Sequence, residues 1–249
     1  MADVPEPSAG ASLVGADLSA VDWAERDLSD LSLEDCTLAD GQLTATLLSG
    51  ARFKGCRFVR CRFAHVDLRE AVFEDCVLTD PEEHAGDAFA FCRMDEARFL
   101  RCDLSFADFD RSSLYGVEMA QTNLLGARFH RTDFSRAFGR NVVRTAAVFR
   151  DCNLALADLS EARLSGCDFA GSSLREADLS EADLEGADLK RCDLYQALTV
   201  GAKLAYADLR GAAIDGMALT ALASHQGLKI TAAQQHLLLG ALGVDVRPD

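Results

Sequence analysis

The chain has 249 residues, with 40 acidic against 25 basic side chains, a formal net charge of −15 at pH 7 and a sequence pI near 4.7. That sign disfavours a direct grip on nucleic-acid phosphates, so no direct binding of nucleic acid is expected; it suits a basic partner or serves solubility alone. No run of about eighteen apolar residues occurs, so no membrane span is expected, and the acidic start Met1–Pro7 lacks the basic and apolar regions of a signal peptide, which makes the cytoplasm the expected location.

Residues 1–12 carry no repeat and are expected to form a disordered tail. From Leu13 onward a leucine or phenylalanine recurs every five residues: Leu13, Leu18, Trp23, Leu28, Leu33, Leu38, Leu43, Leu48, Phe53, Phe58, Phe63, Leu68, Phe73 and Leu78 share one register. After a slip of one residue, Phe89, Met94, Phe99, Leu104, Phe109, Leu114, Met119, Leu124, Phe129 and Phe134 share the next. The series resumes in step at Phe149 and runs through Leu184 to Leu209 and Ile214, with Thr199 as its one weak centre.

A period of five matches neither the 3.6 of a helix nor the 2 of a flat strand. It suits a chain that turns a corner every five residues, four sides closing one square coil with each central side chain inward. Roughly forty pentads make about ten coils, hence a rod on the order of 50 Å long at the usual strand spacing. One continuous repeat over residues 13–222 is one domain.

The residue two before a centre is as a rule small, as a narrow interior requires. All nine cysteines fall there (Cys36, Cys56, Cys61, Cys76, Cys92, Cys102, Cys152, Cys167, Cys192), which makes them structural thiols lining the coil in a reducing compartment. The Cys56–Cys61 spacing is not that of a zinc site and no paired histidine follows, so no metal or other cofactor is expected. Aspartates just before the centre (Asp17, Asp27, Asp67, Asp103, Asp108, Asp133, Asp158, Asp168, Asp178, Asp183, Asp188, Asp193, Asp208) should point outward and stack into carboxylate ladders. Two readings stand side by side: a solvated surface, or a negative rod of about duplex width that imitates DNA.

Two segments break the repeat. Residues 80–87, DPEEHAGD, contain Pro81 and Gly86 and coincide with the slip in phase, which predicts one small loop. Residues 135–146, SRAFGRNVVRTA, put Gly139 and Arg144 where leucine or phenylalanine belongs, so these pentads cannot pack inside. This second segment is basic, with Arg131, Arg136, Arg140, Arg144 and Arg150 in and around it; it either neutralises neighbouring carboxylates or contacts a partner. Residues 223–249 leave the repeat. Thr231-Ala232-Ala233-Gln234 is a capping-box signal, and Leu237, Leu238, Leu239 and Leu242 follow on a short helix that Gly243 ends. A solenoid end needs a cap, and three consecutive leucines exceed what one coil end hides, so these leucines are expected both to cap and to form a dimer interface. His65, His84, His130, His225 and His236 are scattered without a nucleophile–base pairing or phosphate loop, so no enzyme activity is expected.

The residues together resemble the quinolone-resistance pentapeptide-repeat proteins, the Qnr family. Leu114-Tyr115-Gly116-Val117-Glu118-Met119 is similar to the family's LGIE-type break. GARFHRTDFSRAFGRNVVRTAAVFRDCNL resembles its second loop with flanking sides, DPEEHAGDAF sits where the family carries its first loop, and GLKITAAQQHLLLGALGVDV resembles its closing pattern. The similarity runs from about Leu48 to Val246, and the preceding pentads resemble an N-terminal extension of about one to two coils.

The resemblance implies an all-β fold, a right-handed quadrilateral β-helix with two loop excursions and a short C-terminal helix. It also implies a dimeric DNA mimic, joined through its C-terminus, that binds DNA gyrase, with topoisomerase IV as a further target, and protects it from poisons such as quinolones. Carried over by position, Arg136, Phe138, Arg140, Asn141 and Arg144 of the second loop and Glu82, Glu83 and His84 of the first are the expected partner contacts. A generic pentapeptide-repeat scaffold without a topoisomerase role is the alternative.

Overall fold

The computed structural model describes residues 6–80, 82–140 and 142–245. Leu13 pairs in parallel with Leu33, Leu33 with Phe53 and Phe53 with Phe73. The chain therefore lies over itself after every 20 residues, four pentads, and forms a four-sided β-helix. One face is a seven-stranded parallel ladder from Ser12–Val14 to Ala147–Arg150. The next two faces carry shorter ladders, through Thr37–Ala39, Arg57–Val59 and Val77–Asp80, and through Gln42–Thr44, Arg62–Ala64 and Ala88–Ala90. Beyond Phe149 the strands shrink to single parallel bridges such as Asp168 with Asp188 and Asp188 with Asp208.

The interior is what the period of five requires. Every centre from Leu18 to Ile214 is buried, Thr199 included. Because equivalent centres lie one above another, phenylalanines at one position stack coil on coil. Phe53, Phe73 and Phe99 stack with ring centroids 4.6 and 4.7 Å apart, and Phe63, Phe89, Phe109 and Phe129 at 4.7, 5.1 and 4.9 Å. Such ring pairs contribute about 0.5–1.5 kcal/mol each beyond the burial itself.

The small residue two before each centre does more than fit. All nine cysteines are free and buried. In most of them the thiol donates to the carbonyl of a centre on the preceding coil, as Cys76 does to Phe53 at 3.3 Å and Cys61 to Leu38 at 3.3 Å. Hydroxyls in the same slot do likewise: Thr46 to Trp23, Ser112 to Phe89 and Thr132 to Phe109, at 2.7–2.9 Å. Where the slot holds a thiol or hydroxyl it thus adds a donor to a buried carbonyl; where it holds alanine, the commonest residue there, it supplies only the small size.

Each coil turns at the residue two after a centre, which adopts positive φ: Asp30, Asp35, Asp40 and Ala45 mark the four corners of one coil, at φ 52–58. The aspartates before the centres explain how the corners are held. They do stack along the faces, but each of the thirteen also turns Oδ1 back to accept the amide two residues on, as Asp17 does from Ser19 and Asp188 from Lys190. The expectation of outward-standing carboxylates is corrected to this extent. Several are half-buried, and Asp67 and Asp208 are buried beside Arg69 and Arg210; the Arg210 guanidinium holds Asp208 down at about 2. Asx-type closure of the corner also explains why the aspartate-rich coils beyond Phe149 show turns in place of strands.

Three boundaries differ from expectation. Residues 6–12 are not a free tail: the Gly10 amide donates to Ser29, and Arg26 donates to the Pro7 carbonyl at 2.6 Å. The expected tail at residues 1–5 lies outside the described residues. At the other end the coil passes residue 222, since Lys203 bridges Ser224 and Asp208 bridges Lys229. The cap begins only at Thr231, where the expected capping box forms around Ala232–Gln234. Gln234 is buried and donates from Nε2 to the carbonyls of Leu209 at 2.7 Å and Ala212 at 2.8 Å. It thereby satisfies acceptors that the last coil exposes. The helix Gln235–Ala241 then covers the open end.

Candidate partner-binding site

Both interruptions of the repeat are loops, and the registers give their size. Around the first, Arg62 pairs with Ala88 and Asp67 with Arg93, a step of 26 in place of 20. The slip of one residue is therefore an insertion of six, one pentad and one more. Around the second, Glu118 pairs with Val148 and Asn123 with Asn153, a step of 30. Ten inserted residues are two whole pentads, which is why the sequence stays in phase. The first loop replaces the corner above Arg60, and the second the corner above Gly116, two corners away round the coil.

The first loop is a tight antiparallel turn, Asp80 opposite Ala85 and Thr79 opposite Gly86. Asp80 organises it: Oδ1 accepts from the amides of Glu82 and Glu83 at 3.0 and 3.3 Å, and Oδ2 accepts from Arg60 at 2.7 Å. Arg60 and these amides hold the Asp80 carboxyl below its usual range, Arg60 contributing most. Glu82, Glu83 and His84 stand exposed at the tip, with the His84 ring edge-on to Phe106 at 6.0 Å. The chain returns to the coil through Asp87, which is fully buried. Its Oδ1 accepts from the Cys61 amide at 2.8 Å, while Oδ2 is buried without a hydrogen-bond partner among the described residues. Burial lifts this carboxyl to about 7.

The second loop is a hairpin that lies on the rod. Ser135–Ala137 runs antiparallel to Val143–Thr145, and the Phe138 amide donates to Val142 at 2.6 Å. Arg136 and Arg144 face each other directly across it, a like-charge pairing that would cost stability unless each found a partner. Each does. Arg136 donates to Glu96 at 3.0 Å and sits 5.3 Å from the Tyr115 ring centroid, and Arg144 lies over Phe138 at 5.7 Å. Phe138 in turn meets Tyr115 edge-on at 5.8 Å. Arg140 is exposed and has no carboxylate partner among the described residues. Asn141 lies outside the described residues.

The structure therefore gathers Arg136, Phe138, Arg140 and Arg144 into one cationic and aromatic projection, away from Glu82, Glu83 and His84. It adds Val142 and Val143, 45% and 64% exposed beside Phe138 at 48%, and the supports Glu96 and Tyr115. The valines were readable as residues that the broken phase cannot bury; Glu96 and Tyr115 were not, because no local pattern tells where a hairpin will lie. At the C-terminus, Leu238 is buried and Leu237 packs half-buried on the chain's own core. Of the four leucines expected at a dimer interface, Leu239 is half-exposed and Leu242 exposed. None of the described helices is long and apolar enough to cross a membrane.

Comparison with known proteins agrees with this architecture. The family model described as pentapeptide repeats (8 copies) matches residues 42–80, 88–119, 102–138, 157–196 and 182–216. The quinolone resistance pentapeptide repeat protein QnrB96 of Scandinavium goeteborgense is 32% identical over 98 residues, 39% of this chain; the match spans just under half of that relative, 46%. A trypsin-treated variant of QnrB1, a plasmid-mediated fluoroquinolone resistance protein, superposes with a TM-score of 0.75 at 26% identity, over 85% of this chain and 97% of its own. Full-length QnrB1 gives 0.71 at 25% identity, over 84% and 97%. With its coil, corners and lining all set by the period of five, the chain belongs to the pentapeptide-repeat family and is a Qnr-like member of it.

Proposed function

We propose that this protein binds DNA gyrase, and topoisomerase IV as a related target, and protects them from poisons such as quinolones. The observation that carries the reading is a QnrB1-like rod from one edge of which a cationic, aromatic hairpin projects. The rod, wound right-handed, serves as a DNA mimic: carboxylates repeat along its faces at about 4.8 Å per coil, and a basic DNA-binding surface would meet them as it meets phosphates. Arg140, Arg144 and Phe138 reach the enzyme beyond that surface, with Glu82, Glu83 and His84 as a secondary contact. Leu239 and Leu242, left outward by the cap, join two copies. The role is one of binding in the cytoplasm, without catalysis.

The test is gyrase supercoiling under a fluoroquinolone with increasing amounts of purified protein. Protection should appear between substoichiometric amounts and a modest excess, and should weaken as salt screens the long-range attraction. Excision of Arg136–Thr145 should abolish it while the rod stays folded. Protection that survives the excision would favour a general interaction scaffold instead.

A further inference from the structure

The fourth corner of the coil differs from the other three. Reading up the rod it carries Glu25, Ala45, His65, Phe91, Arg111, Arg131, Glu161 and Glu181. Its ends are acidic like the rest of the molecule, but its middle is aromatic and cationic. Arginines at the second and third corners near the loops are neutralised: Arg101 by Asp75 and Glu74, Arg60 by Asp40 and Asp80. At the fourth corner Arg111 reaches only the edge of Asp110, at 4.0 Å, and Arg131 has no ion pair among the described residues. The two occupy successive coils, about 5 Å apart in backbone. Both also sit at positive φ, 52° and 53°, where glycine, asparagine or aspartate would be less strained. Positive φ is shared by the other corners, so what sets these two arginines apart is the lack of a close carboxylate.

The same corner is also open. A stacked corner amide elsewhere donates to the carbonyl beside the next corner, as Phe91 does to Asp110, Arg111 to His130 and Glu161 to Ser180. The amide of Arg131 makes no such bond among the described residues. The coils on either side of the hairpin stay bonded at the other corners, where Gln121 donates to Arg150 and Gly126 to Ala155, and part at this one. Between them lies a cleft of about 250 Å³ lined by His130, Arg131 and Thr132 below and Ser160, Glu161 and Ala162 above. Below it the column closes tightly, with His65 stacked on Phe91 at 5.0 Å and Arg111 over Phe91 at 5.3 Å.

We infer that this corner, from Phe91 to the cleft at Arg131, is a binding stripe for an extended, carboxylate-rich segment of a protein partner. A side-chain carboxylate of that segment takes the free Arg131 amide and the two guanidinium groups, charge-assisted donors that suit a carboxylate. Its main-chain N–H groups meet Glu161 on the upper lip, and its apolar side chains lie against the exposed edge of the Phe91 ring. The stripe starts four residues after the buried Asp87 of the first loop and ends three before Phe134, where the second loop departs. It thus joins the two projections along one edge. The inference does not depend on the identity of the enzyme proposed above.

The test uses the full chain and a fluorescent hexaglutamate peptide at low ionic strength, followed by anisotropy. A protein of charge −15 should repel this probe except at such a stripe and at the cationic hairpin, which the stripe variants leave intact. Binding is expected, with an affinity at least tenfold weaker in Arg111→Glu/Arg131→Glu and unchanged in Arg191→Glu, an exposed corner arginine elsewhere on the rod. Thermal unfolding of the variants shows that each is folded. Absence of binding, or equal binding by the double variant, overturns the stripe. Gyrase rescue in the same samples separates the two proposals. Hexaglutamate bound at the stripe without protection of gyrase removes the topoisomerase reading and leaves the stripe standing; protection without hexaglutamate binding does the reverse.

Discussion

The two loops interrupt one solenoid in opposite ways. The first adds six residues, carries carboxylates, and is tied down from beneath by a side chain inside the core, Asp87. The second adds ten, carries arginines, and is held at the surface by contacts with Glu96 and Tyr115 of the preceding coils. An insertion of whole pentads leaves the corner sequence intact and needs no internal anchor. An insertion with a remainder must return the chain to the coil at a changed phase, and the structure does this where Gly86 and Asp87 are forced against the neighbouring coil. The second loop is therefore an addition to the fold, while the first is built into it.

The harshest test of that contrast is the length of an excision. Removing the ten residues Arg136–Thr145 puts Ala146 at the corner two after Phe134, and every centre from Phe149 to Ile214 stays inward. The remaining rod should melt within a few degrees of the parent. Removing nine, Arg136–Arg144, turns each of those buried side chains towards a corner, and burial of each leucine or phenylalanine contributes about 1.5–3 kcal/mol. The coils beyond residue 146 should then lose their cooperative transition in calorimetry and become protease-sensitive. Similar melting of the two variants would show that the phase is not what holds these coils.

Glycines sharpen the comparison at a smaller scale. A Cβ at Gly86 would fall on the Ala107 amide nitrogen and the Phe106 carbonyl carbon, backbone that cannot move aside. Gly86→Ala should cost about 3 kcal/mol or more, the upper range for overpacking. Gly139, at the tip of the second loop, has φ +102 and nothing within 4 Å of its would-be Cβ. There the cost is backbone strain alone, about 1–2 kcal/mol, and hydrogen exchange should show it confined to the hairpin. Denaturant midpoints of the two variants give the difference directly.

Much of this was legible from the residues. A period of five placed the centres, the cysteines and both loops, because a closed coil leaves each position only one environment. The remainder of the slip was hidden, since a phase shift of one does not distinguish one inserted residue from six. The corner-closing role of the aspartates was hidden for another reason: a carboxylate beside an inward leucine reads as solvated until its bond to the amide two residues on is seen. One signal was present and missed. Asp87 lies two before Phe89, in a lining slot that elsewhere holds no carboxylate and mostly cysteine, alanine, serine or threonine, so an aspartate there marks an exception.

That exception gives the first loop a dependence on pH. Ser112 and Ser172, in the same slot, each accept from the cysteine amide below at 2.9 Å and donate to the carbonyl three residues before that cysteine. Asp87 reproduces only the accepting half, from Cys61; the corresponding carbonyl is that of Phe58. A carboxylic acid could complete the pair, a carboxylate could not. With its ionisation lifted from the ordinary value near 4 to about 7, the folded chain holds a proton that the unfolded chain has released. Stability should therefore fall as pH rises from about 4 to 7, by at most about 1.4 kcal/mol per unit, and level off above. Asp87→Ser supplies both halves without a charge. It should remove this component of the slope and gain about 1–3 kcal/mol at pH 8, read as urea unfolding of parent and variant across pH. Parallel profiles would mean that Asp87 is not the titrating anchor.

The smallest effect belongs to the surface anchor of the second loop. Glu96 and Arg136 are both about half-exposed, and exposed ion pairs contribute about 1 kcal/mol or less. Glu96→Gln should leave global unfolding almost unchanged. Its consequence is local: without that carboxylate the facing pair Arg136 and Arg144 is no longer balanced, and Tyr115 alone holds the hairpin down. Amide exchange should quicken between Ser135 and Thr145 and stay constant in the first loop, whose anchor is internal. High salt should produce the same local change in the parent, because screening acts on the ion pair and hardly on the ring contact. If exchange in the hairpin is indifferent to both, its position is set by Phe138 on Tyr115, and Tyr115→Ala becomes the substitution that releases it.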